Sequence, residues 1–140
     1  MTPEEKVIAA ARAIIDASNT GDVEGAGPQE IISAFPANGG LLGYPTDDQG
    51  PGDKKDSSRP SAWHFSHWKH PEVHVEGDMA FLTGYLDGYF VVNGVRTNFS
   101  WRDTCIFAKR DGKWTRIHFH TSPLSPGSFW LQRVFIATLN

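Results

Sequence analysis

The sequence has little cysteine, no long apolar run and no concentration of positive charge. Cys105 is the one cysteine in 140 residues, so no disulfide can form within the chain, and this usage fits a reducing compartment. No apolar stretch approaches the roughly 20 residues that a membrane span needs. Charged residues recur through the N-terminal segment, which is unlike a signal peptide. We therefore expect a cytoplasmic protein with no membrane partner.

The charge balance argues against nucleic acid as a partner. The net charge is −3, the pI is about 6.0, and no cluster of Lys and Arg exceeds the short run around Lys109, Arg110 and Lys113. The glycines between positions 39 and 52 precede no helical pattern, so they predict no phosphate-binding loop. Four histidines between positions 64 and 74 could gather around a metal, but Pro71 interrupts them and no cysteine or carboxylate joins at a zinc spacing. We predict neither a metal nor a cofactor.

Aromatic and imidazole side chains are abundant instead. The chain has five Trp, nine Phe, three Tyr and six His, and many lie within residues 63–74 and 99–120. One interpretation is a core rich in aromatic residues with histidines at the surface. The other is an aromatic pocket for a ligand.

The N-terminal half favours helices separated by a long loop. Thr2 and Glu5 form a capping box for a first helix that ends near Gly21, with one apolar face. Similar patterns predict short helices over residues 28–35 and 61–70. The apolar face of the first helix comprises Val7, Ala11, Ile14 and Ile15. Ser61 is the expected cap of the helix over residues 61–70.

Residues 36–60 are rich in Gly, Pro, Asp, Ser and Lys, which predicts a loop that is mobile at about 45–60. A loop of this length could also serve as a lid. The tail at 129–139 is apolar, and it either packs on the domain or contacts another subunit. We expect one domain over residues 1–140.

The C-terminal half predicts a meander of strands. Asn93–Gly94 and Asp111–Gly112 are strong hairpin signals, and Gly84 and Gly88 predict bends in the first long strand. Helices followed by consecutive strands indicate an α+β fold with the helices on one face of a curved antiparallel sheet. The predicted strands are Glu72–Val75, Met79–Val92, Arg96–Arg110 and Lys113–Thr121.

A two-residue turn at Asp111–Gly112 predicts the register of the last hairpin. Counting outward pairs Phe107 with Arg116, Cys105 with His118, and Asp103 with His120, all on one face together with Trp101. A carboxylate opposite an imidazole can orient a general acid or base. The alternative is a structural ion pair across the strands, and Cys105 is expected to be a buried, inert thiol.

The strand region resembles the association (hub) domain of calcium/calmodulin-dependent protein kinase II, and more widely the SnoaL-like group of the nuclear transport factor 2-like (NTF2-like) superfamily. The resemblance covers about residues 70–123 and not residues 23–62. It implies a cone-shaped curved sheet wrapped by N-terminal helices, with a pocket between them and dimers or larger rings formed through the sheet. The matching pieces are Pro71-x-Val73-His74-Val75 with Gly77-Asp78, Arg96-Thr97, Asp103-Thr104, Arg110-Asp-Gly-Lys-Trp114, Ile117-His-Phe-His120 and Ser122.

The superfamily contains both enzymes and non-catalytic assembly domains, so the resemblance implies no single function. The kinase hub has arginines in its pocket where this chain has Cys105 and Thr121, which favours a more neutral ligand here. Our first hypothesis is a cofactor-independent isomerase, cyclase or dehydratase acting on a hydrophobic, oxygenated metabolite such as a polyketide or terpenoid. The alternative is a hub-like oligomerisation or ligand-binding domain, and in both cases we expect a homodimer or larger homo-oligomer.

The enzyme hypothesis assigns a role to each candidate residue. Asp103 would orient His120, and His120 or His118 would transfer the proton. The expected substrate-binding residues are Tyr44, Trp63, His67, Tyr85, Trp101, Cys105, Phe107 and Arg116.

Overall fold

The computed structural model describes residues 1–22, 24–35 and 63–124. It has an α+β fold, with an N-terminal helix packed against one side of a curved, unclosed five-stranded sheet. The strand order across the sheet is β1-β5-β4-β3-β2, and only the β1–β5 pair is parallel. The elements are α1 (Pro3–Thr20), a 3₁₀ turn (Glu24–Ala26), β1 (Gln29–Phe35), β2 (His64–Glu76), β3 (Met79–Val92), β4 (Val95–Arg110) and β5 (Lys113–Pro123).

The ends of α1 confirm the sequence prediction. The Thr2 hydroxyl accepts a hydrogen bond from the Glu5 backbone N–H at 3.1 Å, and the Glu5 carboxylate accepts one from the Thr2 N–H at 2.8 Å. At the other end Gly21 has φ +77°, and its N–H donates to the Ala17 carbonyl at 2.8 Å. Among the described residues, no helix combines the length and apolar character needed to cross a membrane.

Apolar packing and a side-chain amide join α1 to the sheet. Val7 and Ala11 are buried against the centre of the sheet, in a cluster that includes Leu82 and Phe107. Near the helix end, the Asn19 side-chain amide accepts from the Phe65 N–H at 2.7 Å and donates to the Phe65 carbonyl at 2.9 Å. The amide therefore pairs with both backbone polar groups of Phe65, as a neighbouring strand would. It links the start of β2 to the end of α1.

Both predicted hairpins are confirmed. Asn93 and Gly94 have φ values of +51° and +75°, and Asp111 and Gly112 have +50° and +78°. Positive φ at both central residues is the requirement of a type I′ turn, which Asn-Gly and Asp-Gly meet at low cost. Consequently β3 spans Met79–Val92 as predicted, while β4 begins one residue early at Val95 and β5 continues to Pro123.

The two short helices were predicted wrongly. Residues 29–35 form β1, which pairs in parallel with β5, and residues 64–70 form the first part of β2. In both segments pairing with a distant strand overrides the local helical pattern, and Pro71 is accommodated at an irregularity of the edge strand rather than at a helix end. The predicted loop at 45–60, the tail at 129–139, Ser61 and Tyr44 lie outside the described residues.

The predicted register of the β4–β5 hairpin is correct near the turn and wrong beyond it. Phe107 pairs with Arg116 as predicted, but Ile106 then pairs with His118, so Ile117 is an extra residue in β5. Because one extra residue reverses the side-chain alternation, Cys105 faces Phe119 and Asp103 faces Thr121. His120 pairs with Thr104 instead of Asp103.

The sheet thus has two chemically different sides. The helix-facing side carries buried residues of β3 and β4 and the partly buried Phe119 of β5. The buried ones include Leu82, Leu86, Trp101, Asp103, Cys105 and Phe107. The opposite side, called the outer face below, carries residues that pair with one another across the strands, including Phe81, Tyr85, Thr104, Ile106, His118 and His120.

The glycines predicted to bend β3 face irregular points of β2. The register shifts between Lys69 and Glu72, opposite Gly84, and again between Phe65 and His67, next to Gly88. At the first shift His70 has φ +52°, a backbone conformation that is uncommon for a residue other than glycine. The glycines therefore mark places where β2 crosses close to β3.

Gly88→Ala should destabilise the fold strongly. An added Cβ would overlap the His64 carbonyl oxygen and lie 2.7 Å from Cζ of Phe99. We expect the free energy of unfolding, measured by urea denaturation, to fall by about 3 kcal/mol or more. Gly94→Ala is the matched control: it meets no atom within 4 Å and has only the strain of φ +75°, a cost of about 1–2 kcal/mol. Equal losses in the two variants would contradict the close approach of β2 to β3.

Candidate functional site

Asp103 is the buried carboxylate on the helix-facing side of the sheet. Only 8% of the residue is exposed, and it lies on β4 between Trp101 and Cys105 on the same side. Its neighbours across the ladder are Gly84 on β3 and Thr121 on β5. Because Gly84 has no side chain, the Trp68 indole of β2 approaches the backbone of β3 opposite the carboxyl group.

Burial is the main influence on the charge of Asp103. Loss of solvation raises the pKa of its carboxyl group to about 6, against the opposing effects of the Arg116 charge, the Cys105 thiol and the His120 imidazole. The Cys105 Sγ lies 3.6 Å from Oδ2 and 3.8 Å from Oδ1 and donates to them. Burial and the Asp103 charge raise the pKa of that thiol to about 12, so Cys105 stays protonated and is a poor nucleophile.

Aromatic rings surround Trp101 at one end of this site. Trp101 stacks on Phe99 with centroids 3.8 Å apart, and it meets Trp63 edge-on at 5.1 Å and Phe65 at 6.0 Å. Trp63 and Trp101, both expected substrate-binding residues, therefore lie in contact. This group of rings provides a flat apolar wall beside the carboxyl group.

Arg116 lies on the other side of the site, where β1 and β5 meet. Its Nη2 and Nε donate to the Gln29 Oε1 at 2.7 and 3.1 Å, and its guanidinium lies 4.5 Å from the centroid of the Phe119 ring. These contacts fix the position of the charge. The charge lowers the pKa of Asp103 without cancelling the effect of burial.

Two residues of the site were missed by the sequence analysis. The Trp68 Nε1 is buried and has no hydrogen-bond partner among the described residues. It lies 2.9 Å from the position that a Cβ at Gly84 would take, so Trp68 and Asp103 flank the same glycine from opposite strands. Arg12 of α1 covers the Trp68 ring at 5.1 Å. Neither Trp68 nor Arg12 was marked by a sequence pattern. Of the residues at this point, Gly84 alone was marked, as an isolated glycine within a strand.

Several predicted site residues lie elsewhere. His118 and His120 are on the outer face because of the bulge at Ile117. There the Ser33 Oγ lies 2.8 Å from the His118 Nδ1. The Phe35 ring lies 5.8 Å from the His118 ring and 5.5 Å from the His120 ring. The proposed Asp103–His120 orientation across the ladder is therefore wrong.

The remaining candidates fall into three groups. His67 and Tyr85 also lie on the outer face, where His67 pairs with Asp87 and Tyr85 is 40% exposed. Phe107 is on the expected side but has no exposure and belongs to the core. Tyr44 lies outside the described residues. Within the described ranges, no three His, Cys, Asp or Glu side chains come close enough to hold a metal ion.

The family of the chain follows from a match to its strand region. The family model of the calcium/calmodulin dependent protein kinase II (CaMKII) association domain matches residues 54–125, just over half of the chain. The chain belongs to this family. The resemblance expected from residues 70–123 is thereby confirmed.

Solved structures with the same fold cover nearly the whole of this association domain. The CaMKII hub of S. rosetta is 17% identical, with a TM-score of 0.63 over 89% of this chain and 98% of that chain. A protein with a cystatin-like fold from Caulobacter vibrioides is 20% identical, with a TM-score of 0.68 over 94% and 96%. A candidate dehydratase of the NTF2-like family from Streptomyces avermitilis is 17% identical, with a TM-score of 0.65 over 87% and 96%.

These likenesses establish the fold of the association domain and nothing finer, because every identity is low. No curated protein matches the sequence. The chemistry of the site therefore depends on the residues of this chain alone.

Asp103→Asn should stabilise the fold at neutral pH. A carboxyl whose pKa is higher in the folded than in the unfolded chain opposes folding once it must ionise, so the wild type loses stability as pH rises from about 4 to about 6. The variant should gain up to about 3 kcal/mol at pH 7.5 and almost nothing at pH 3.5. Thermal or urea unfolding across this range measures the difference.

Asp87→Asn is the matched control on the outer face, with the opposite sign. The Lys69 Nζ lies 2.7 Å from the Asp87 Oδ2, and this hydrogen bond lowers the pKa of that carboxyl. Its contribution is present above the ordinary pKa of aspartate and is lost on acidification, so the control should lose stability at pH 7.5. A stability loss at pH 7.5 in Asp103→Asn as well would refute the assignment of a destabilising buried charge.

Proposed function

We propose that this protein catalyses proton transfer on a hydrophobic, oxygenated small molecule held on the helix-facing side of the sheet, with Asp103 as the acid–base group. The observation that carries the proposal is a carboxyl group only 8% exposed, next to an aromatic wall, and without a strong cationic partner within salt-bridge distance among the described residues. Structural carboxylates are usually paired when buried. A buried carboxyl that titrates near neutrality is typical of acid–base sites.

The chemistry follows from the two protonation states of Asp103. Ionised Asp103 removes a proton from a carbon next to a substrate carbonyl, and the C–H electron pair moves onto the carbonyl oxygen to give an enolate. Protonated Asp103 then returns the proton to another carbon of the conjugated system, which completes an isomerisation. If a hydroxyl lies at the β-carbon, its departure with that proton as water completes a dehydration instead.

Trp68 supplies the group that such an enolate needs. Its indole N–H is buried and unpartnered within the described residues, and it flanks Gly84, the glycine that faces Asp103. A substrate carbonyl oxygen placed beside Gly84 would accept this hydrogen bond, and the bond would strengthen as negative charge develops. Trp101 and Trp63 would hold the flat apolar part of the substrate.

The test is exchange of the α-protons of 2-tetralone, a flat ketone, for deuterium in D₂O, followed by proton NMR. The wild type should accelerate exchange over buffer, with a rate that rises as pH increases through about 6 because the ionised carboxyl is the base. Asp103→Asn should lower the enzymatic rate at least about a hundredfold. Trp68→Phe keeps a ring and loses the donor, so it should lower the rate by about a hundredfold.

Asp87→Asn on the outer face is the matched control, and it should keep the wild-type exchange rate. Wild-type exchange no faster than buffer, or full exchange by folded Asp103→Asn, would show that Asp103 is not the base.

A second function, self-assembly through the outer face, is favoured by a separate observation. Met79 and Phe81 are each 45% exposed and Tyr85 is 40% exposed, all on one strand of this face. Neighbouring apolar side chains that remain exposed on a sheet often mark an interface. Membership of an association-domain family whose relatives include CaMKII hubs supports the same conclusion.

Light scattering with size-exclusion chromatography tests this assembly. We expect the wild type at pH 7.5 to have a mass that is a multiple of the 15.5 kDa chain. Phe81→Lys should shift it toward the single-chain mass, because a buried unpaired charge opposes association. Val95→Lys, at an exposed apolar position (65%) at the start of β4 beyond that patch, should leave the mass unchanged. A wild type of single-chain mass would exclude assembly.

A further inference from the structure

The outer face holds the rings of all six histidines of the chain. His64, His67, His70 and His74 come from β2, at one edge of the sheet. His118 and His120 come from β5, toward the other edge. The exposed apolar residues of β3 lie between these two groups. The helix-facing side, by contrast, has no histidine among the described residues.

We infer that acid releases the assembly, because a second copy docked on the outer face covers these imidazoles and their protonation opposes that contact. This inference rests on the self-assembly proposed above and adds its regulation. Histidine is the side chain whose ordinary charge change falls between pH 5 and 8. A neutral imidazole tolerates burial, whereas an imidazolium without a partner does not.

The contacts of the rings place them within the apolar patch. His74 stacks on Phe81 with centroids 4.8 Å apart, and His70 meets Tyr85 edge-on at 6.5 Å. His118 and His120 both contact Phe35, which is 39% exposed. A partner that covers Phe81 and Phe35 therefore also covers these imidazoles.

The charges around β2 would partly offset protonation on that side. Glu72 and Glu76 alternate with His74 along the same side of β2. Asp87 faces His67 but is already paired with Lys69 at 2.7 Å. Some of the new positive charge on β2 can thus find a carboxylate within the same subunit.

The surroundings of His118 and His120 offer less compensation, because the carboxylate that interacts with the His120 charge, Asp103, lies on the helix-facing side. β1 presents Ser33 and Phe35 to them, and β4 presents Ile106 and Thr104. Of the carboxylates on these three strands, Glu30 pairs with Arg110 at 3.5 Å and Asp103 lies on the helix-facing side, while Arg102 adds positive charge on the outer face. Protonation of this pair therefore adds positive charge that no outer-face carboxylate of these strands neutralises.

The size of the effect follows from linkage. For each proton that a free subunit takes up and an assembled subunit does not, the association constant falls by up to about tenfold per pH unit. Between pH 7.5 and 5.5 we expect at least a tenfold fall for the wild type, measured by sedimentation velocity at constant ionic strength. The triple variant His74→Gln, His118→Gln, His120→Gln should lose most of this pH dependence, because glutamine stays neutral.

Asp103 titrates in the same range, so Asp103→Asn is the control for its contribution. This variant should dissociate at pH 5.5 like the wild type, and circular dichroism at both pH values confirms that every variant is folded. A wild type assembled equally at both pH values would overturn the inference and leave the assembly intact. A wild type that is monomeric at both values would instead refute the assembly itself. Loss of the acid response in Asp103→Asn, or its full retention in the triple variant, would also overturn the inference.

Discussion

A single extra residue in β5 determines which side chains share a face. Arg116 pairs with Phe107 on the helix-facing side, and with Ile117 inserted His118 pairs with Ile106 on the other side. An unbroken ladder would have placed His118 and His120 beside Asp103, in a polar and solvated cluster. The bulge instead leaves Asp103 among Trp101, Cys105 and Gly84. The dry surroundings that raise the pKa of its carboxyl group therefore depend on this irregularity.

Features fixed by neighbouring residues were predictable from the sequence, and features fixed by distant strands were not. The Thr2–Glu5 capping box and the turn at Asp111–Gly112 each depend on a few adjacent residues whose conformational preferences are strong. The segment 29–35 has an equally good helical pattern, but it forms β1 because it pairs in parallel with β5 at the edge of the sheet. No glycine or proline marks the bulge at Ile117, so its position could not be predicted from local composition.

The residues of the candidate site show the same difference between local and distant determinants. Alternation along β4 correctly placed Trp101, Asp103 and Cys105 on one side. Trp68 could not be placed, because its position depends on the irregularity of β2 at His70 and on the missing side chain of Gly84. Residues within one regular strand were therefore predictable, whereas the donor proposed to complete the site comes from a strand whose register is interrupted.

The two sides of the sheet respond to acid in the same direction for opposite reasons. On the helix-facing side, burial favours the neutral acid, so Asp103 takes up a proton as pH falls through about 6 and can no longer act as a base. On the outer face, burial by the proposed second copy would favour neutral imidazoles, so acid would add charge and weaken that contact. Both proposed activities would therefore be lost in acid. One sheet, with a carboxyl group on its dry side and histidines on the other, would thus make both activities sensitive to acid.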